Sequence, residues 1–432
     1  MAARRQRLRH GPLGRRRRVG ATVTTWNPWS LRELVTDLAA GRTTSAEALE
    51  RSRSRIAETD PVLRAWVEHL PEPALADGPL RGVPLAVKDI IDVAGAPTRC
   101  GSALRADAPP AIADAAIVRE WRNAGATPIG KTVTTEFAFF SPGPTRNPAA
   151  PERTPGGSSS GSAAAVASGQ VPLALGSQTA GSVTRPAAFC GVASLVLGHG
   201  RFPTDGVVGL APSLDSHGVF TASTGDLALA WSALTGTPEP PSNRAPRLLR
   251  WNASALGFVD DAMNAALEKT CTSLTGRGAV VTAFPEEQLV AELTEAHPVV
   301  MAYEAARERA DELAAADELS DHLATLLRTG AAITDTEYDA ARRVVGEAGR
   351  HLARLTESCD AIIGPAAPGP APRGLDATGD PVMSRAWQAL GLPTATVPGL
   401  RDDSAVPLGT QLIGHHHGET ALLATARGVE GA

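Results

Sequence analysis

The sequence predicts an α/β fold in a single large domain, over roughly residues 26 to 432. Three observations point there. Helix-period and strand-like segments alternate along the chain, no repeat of 20 to 50 residues interrupts them, and 432 residues with 43% hydrophobic and 20% charged side chains can bury a sizeable core. Glycine (42) and proline (34) are plentiful without a fixed period, which indicates many tight turns rather than a fibrous or disordered chain.

The elements follow in order. Ser30 caps a helix whose apolar face is Leu31, Leu34, Val35 and Leu38, and a second helix opens at Ser45 through "AEALERSRSRIAE". The first strong strand lies within Val83 to Val93, where the β-branched run contains the charged pair Lys88-Asp89. Burying that ammonium costs several kcal/mol unless it is paired or deprotonated, so the pair needs a reason. "ADAAIVREWRNAG" (113–125) has helical period and "TPIGKT" (127–132) reads as the next strand. Residues 141 to 162 are dense in Pro, Gly and Ser. They run straight into Ala- and Gly-rich "AAAVASGQVPLALGSQTAGS", which suits a helix and turn packed in an interior rather than a linker. Beyond the Pro-rich loop at 236–246, "RLLRW", "DAMNAALEKTCTSL" and "AVVTAF" alternate strand, helix and strand. Long helices are expected over roughly 288–316 and 336–356, strands in "AIIGPAAPG", "TATVPG" and "GTQLIG", and a last helix from Glu419.

Charge and cysteine exclude several function classes. Eight arginines fall within the first 18 residues, so of a net charge of −5 the remaining chain carries −13, which argues against a nucleic-acid footprint on the folded body. Residues 1–25 read as a basic, disordered arm or an over-extended start, since no apolar stretch follows them as in a signal peptide. No segment approaches the roughly 18 apolar residues of a membrane span. Cys100, Cys190, Cys271 and Cys359 are widely spaced with no CxxC pair, so neither a disulfide framework nor a metal site is expected, and the cytoplasm is the default compartment.

Two short matches invite over-reading. Gly125 to Thr132 satisfies the phosphate-loop pattern GxxxxGKT, which would make Lys131 a nucleotide ligand. A helix precedes it and a strand contains it, the reverse of the strand-loop-helix context such a loop requires. His415, His416 and His417 are consecutive, so their side chains diverge, and a solvated turn explains them better than a metal.

The stretch "GGSSSGSAAAVASGQVPLALGSQTAGSVTRPAAFCG" (156–191) is far more informative. With "GVPLAVKD" (82–89), "GATPIGKTVTTEFAF" (125–139), "TRNP" (145–148), "LAPSLDSHG" (210–218) and "PLGTQLIG" (407–414) in the same order, it resembles the amidase signature family over nearly the whole chain after residue 26. The resemblance implies an α/β/α sandwich around a large mixed sheet and a cofactor-independent amidase. It also implies a Ser-cisSer-Lys triad at Ser182, Ser158 and Lys88, with a cis peptide between Gly157 and Ser158.

The chemistry of these residue types agrees. A serine hydroxyl is a weak nucleophile until a base takes its proton. Lys88 can be that base only if its pKa falls from roughly 10.4 to about 7, which desolvation by Pro84, Val87 and Ile90 could achieve. Ser158 would relay the proton between Lys88 and Ser182. Backbone N–H groups of Thr179, Ala180, Gly181 and Ser182, in a glycine-rich turn before a helix, would hold the oxyanion. Ala180 replaces the first glycine of the commoner TGGS, a strain of about 1 kcal/mol if the position needs positive φ. Gln178 stands where many members have Asp. Asp89 is expected to be a structural acceptor on the opposite strand face. Arg185 either anchors its helix or reads an anionic substrate.

The expected activity is hydrolysis of the C–N bond of a small amide, carboxylated (malonamate-like) or not, through a seryl acyl-enzyme with release of ammonia or amine. An allophanate or carboxybiuret hydrolase, and the glutaminase subunit of a tRNA-dependent amidotransferase with its own partner subunits, are alternatives. The expected partner is the small-molecule substrate, with neither nucleic acid nor membrane; a homodimer stays open.

Overall fold

The computed structural model describes residues 25–71, 74–243, 245–257 and 259–431. The basic segment before them lies outside the described residues. In chain order, helices α1 (Leu31–Ala39) and α2 (Ser45–Leu63) precede strands β1 (Trp66–His69) and β2 (Val83–Lys88). Then come α3 (Ala116–Asn123), β3 (Ala126–Thr132), α4 (Ser160–Ala167), β4 (Leu173–Gln178), α5 (Thr184–Cys190), β5 (Ala193–Val196), β6 (Ser216–Thr221) and α6 (Thr224–Thr235). The second half runs β7 (Arg247–Arg250), α7 (Asp261–Gly276), β8 (Val280–Ala283), α8 (Glu287–Glu308), α9 (Ala310–Ala314), α10 (Asp321–Ala332) and α11 (Asp335–Thr356). It closes with β9 (Ala361–Pro365), α12 (Val382–Ala389), β10 (Thr394–Arg401), β11 (Pro407–Ile413) and α13 (Glu419–Val429).

Among the described residues, all eleven strands join one mixed sheet in the order β1-β3-β2-β4-β6-β5-β10-β11-β9-β7-β8. The expected α/β/α sandwich is the architecture found. Side chains alternate between two cores along each strand: in β2, Leu85 and Val87 join the core beneath α1, α3 and α6, while Ala86 joins the one beneath α2, α4 and α5. Strand β2 lies parallel to both β3 and β4, is buried on both faces, and so reads as the continuous apolar run "VPLAV". Pro84 is tolerated because β4 pairs only with Leu85 to Val87, leaving its missing N–H outside that ladder.

Several expectations are corrected. Strand β2 falls within the expected 83–93 and ends at Lys88, where the chain turns at Asp89 and Ile90, but the short β1 before it was not anticipated. Residues 173–178, expected within a helix and turn, form β4: "LALGSQ" has no β-branched residue, and its place between β2 and β6 overrides that propensity. The helix expected over 288–316 breaks at Arg309, and α10 was not anticipated. Helix α2 begins at Ser45, but its cap is Thr44, which forms a capping box with Glu47.

Candidate active site

The carboxyl ends of the parallel strands β2, β3 and β4 converge, the usual place for a site in such a sheet. Lys88 is the last residue of β2 and is fully buried. Its Nζ lies 2.6 Å from Ser158 Oγ, 2.8 Å from Ser177 Oγ and 3.3 Å from the Ser177 carbonyl. Burial pulls its pKa down to about 7, opposed by the Asp215 carboxyl. Nζ reaches three oxygens, a set satisfied by the three protons of the ammonium or by the neutral amine with its lone pair turned to the Ser158 hydroxyl.

Ser158 sits in the turn that leads into α4, and the Gly157–Ser158 peptide is cis. A Cβ on Gly157 would stand 2.7 Å from Thr378 Cγ2, so only glycine fits there. Across a small cavity of about 20 Å³ lies the turn 179–182 between β4 and α5. Ser158, Thr179, Ala180, Gly181, Ser182 and Arg185 all line this cavity, closed by Phe140, Leu210, Met301, Thr378 and Pro381. Ser182 Oγ makes no hydrogen bond to Ser158 or to any other described group, and the Ser182 carbonyl accepts from Ser159 N–H at 3.2 Å.

The turn is held from several sides. Gln178 Oε1 accepts the N–H groups of Val183 and Thr184, while those of Ala180, Gly181 and Ser182 donate to no described protein group. Thr179 Oγ1 donates to Asp215 at 2.5 Å, and Asp215 also accepts from Leu210 and Ala211 N–H. Burial pushes the Asp215 carboxyl up. Ala180 is not among the residues with positive φ, so the strain contemplated for it does not arise. Gly181 is needed for another reason, since a Cβ there would meet Pro381 Cβ at 2.8 Å.

Arg185 is buried on α5 and donates from Nη2 to the Gly157 carbonyl at 2.7 Å and to Thr378 Oγ1 at 3.3 Å. Its Nε and Nη1 are buried without a partner. Burial pulls its guanidinium down to about 9, opposed by Asp380, which still leaves it cationic at neutral pH.

The other sequence candidates fall elsewhere. Lys131 ends up in an ion pair with Asp89 at 3.1 Å, both buried and both pushed towards neutrality by burial while each opposes the shift of the other. It lies within β3, with no α-helix directly after that strand, so the phosphate-loop pattern has no phosphate-loop geometry. Asp89 is the structural acceptor expected of it. His415 to His417 form the turn before α13, and no group of three metal-ligating side chains occurs among the described residues. A larger apolar cleft between α11 and β11 is lined in part by His415 and His416 and contains none of the residues expected in the catalytic site. Residue-level reasoning missed Ser177, Asp215 and His297, of which Ser177 and Asp215 lay inside quoted motifs and His297 did not.

The family model described as Amidase matches residues 47–423. The chain belongs to the amidase family. This amidase is 33% identical over 435 residues to a glutamyl-tRNA(Gln) amidotransferase subunit of Akkermansia muciniphila, covering 85% of this chain and 92% of the relative. It is 33% identical over 397 residues to the 2-amino-5-chloromuconic acid deaminase of Comamonas testosteroni, covering 82% of each. A solved amidase structure superposes with a TM-score of 0.83 at 27% identity, covering 92% of this amidase and 98% of that chain. The activity class implied by the sequence, cleavage of an amide C–N bond, thus holds for this enzyme, and among the described residues no helix is long and apolar enough to cross a membrane.

Proposed function

We propose that this enzyme hydrolyses a small carboxylated amide through an acyl-enzyme on Ser182. The observation that carries the reading is the buried Lys88, held near neutrality at about 7 and hydrogen-bonded to Ser158 on the wall of the cavity that Ser182 also lines. Neutral Lys88 takes the proton of Ser158 as Ser158 takes that of Ser182, and Ser182 Oγ attacks the amide carbonyl. The negative oxygen is met by the N–H groups of the turn from Thr179 to Ser182, of which those of Ala180, Gly181 and Ser182 are unengaged. The proton returns through Ser158 to the departing nitrogen, which leaves as ammonia or amine. Water then repeats the attack by the same relay and frees the acid and Ser182.

Arg185 selects the acid. Two buried, unpartnered nitrogens on a cation cost desolvation that a substrate carboxylate would offset, and the fork geometry suits it. That a relative of similar length acts on a muconic acid supports an acidic substrate. The reading takes residues 26–432 as one catalytic domain, supported by a single sheet with strands from residue 66 to residue 413. The four cysteines are unpaired, which supports a reducing compartment such as the cytoplasm.

An ammonia-release screen over malonamate, biuret derivatives, glutamine and their neutral diamide counterparts tests the proposal. Turnover of carboxylated members well above neutral ones is expected. Glutamine as the preferred substrate would favour the amidotransferase reading, and turnover of neutral amides alone would refute the acid.

A further inference from the structure

His297 is fully buried on α8 and belongs to no motif of the sequence. Its Nε2 lies 2.8 Å from the Thr179 carbonyl. A carbonyl only accepts, so Nε2 carries the proton and Nδ1, which has no partner, holds the lone pair. Burial pulls the imidazole down to about 4, with the Thr179 carbonyl opposing, so the ring is neutral at working pH.

The bond reaches one of the peptides whose N–H groups are unengaged beside the cavity. The peptide between Thr179 and Ala180 is trans, so its N–H points opposite to its carbonyl. A carbonyl tied to His297 therefore fixes the direction of the Ala180 N–H, within a turn whose residues line the cavity together with Met301 of the same helix. Thr179 is clamped a second time by its hydroxyl on Asp215, a bond made by the side chain and not by the peptide. A hydrogen bond accepted at the carbonyl also polarises the peptide, strengthening its N–H as a donor.

We propose that His297 is a positioning residue: by donating to the Thr179 carbonyl it holds the Ala180 N–H towards the cavity as an oxyanion donor. The inference rests on the acyl-enzyme reading above. Loss of an oxyanion donor outright costs 10²- to 10³-fold in kcat in other hydrolases, so loss of its support should cost about ten- to a hundredfold.

The test compares His297→Met, which fills the space with no donor, and His297→Gln, whose amide can donate to the same carbonyl. Both are made in the full chain and assayed for ammonia release from malonamate, with melting temperatures measured alongside. The expected result is a kcat loss of about ten- to a hundredfold for Met with KM within about twofold, and recovery by Gln to within about threefold of wild type. Met with kcat within twofold of wild type would overturn the proposal. So would Gln as slow as Met, or losses in kcat and KM that follow melting temperature. If the Met variant does not fold, the Gln variant decides alone: near-wild-type kcat supports the proposal and a loss beyond tenfold overturns it. Turnover retained by Ser182→Ala would instead defeat the acyl-enzyme reading, whatever the histidine variants do.

Discussion

Replacing Lys88 by Met should abolish activity and yet stabilise the protein at neutral pH. The side chain is fully buried and its pKa falls from 10.5 to about 7, so the folded state releases a proton that the unfolded state keeps. Between these two pH values the unfolded chain binds more protons, and wild-type stability rises as pH rises. At pH 7 the shift corresponds to about 4 kcal/mol of destabilisation, falling to about 2 kcal/mol at pH 9. Methionine has similar length and no charge, but it leaves the hydroxyls of Ser158 and Ser177 without their partner, at a cost of about 1–3 kcal/mol. The net expectation for Lys88→Met is a gain of about 1–3 kcal/mol at pH 7 that shrinks by about 2 kcal/mol by pH 9. Urea unfolding of both proteins at pH 7, 8 and 9 measures it. A stability difference that stays flat across this range would show that Lys88 keeps an ordinary pKa, and the argument for a neutral base would fail.

The wild-type profile of kcat/KM should rise about tenfold per pH unit below pH 7 and level off above it, because the base acts only when neutral. A rising limb centred above pH 9 would contradict this. Arg185→Ala should lose about ten- to hundredfold in kcat/KM on carboxylated amides and much less on neutral ones. Equal losses on both would reduce Arg185 to an anchor of Gly157 and Thr378. Dialysis against EDTA should leave turnover unchanged; loss restored by zinc would reveal a metal requirement.

Much of this site could be read in the sequence because its chemistry sits in contiguous motifs. Lys88 betrayed itself as a charge inside an apolar strand, and the turn 179–182 by its small residues between two buried elements. The α/β alternation was legible wherever periodicity or β-branching marked an element. It failed at β4, where "LALGSQ" looks helical and only its neighbours in the sheet make it a strand. Ser177 escaped because its role depends on the register of β4 beside β2, which brings its hydroxyl to Lys88. His297 lies 118 residues from Thr179, in a helix without a local signature, and only the packing of α8 brings them together. The free N–H groups of Arg185 are a statement about missing partners, and no sequence pattern records that.

The central claim is that Ser182 carries the acyl group. Rapid acid quenching during malonamate turnover, followed by mass spectrometry with fragmentation, tests it most directly. The account predicts a malonyl adduct on Ser182 that is absent from Ser182→Ala, together with loss of ammonia release in that variant. An adduct on Ser158 or Ser159, or undiminished turnover by Ser182→Ala, would contradict it.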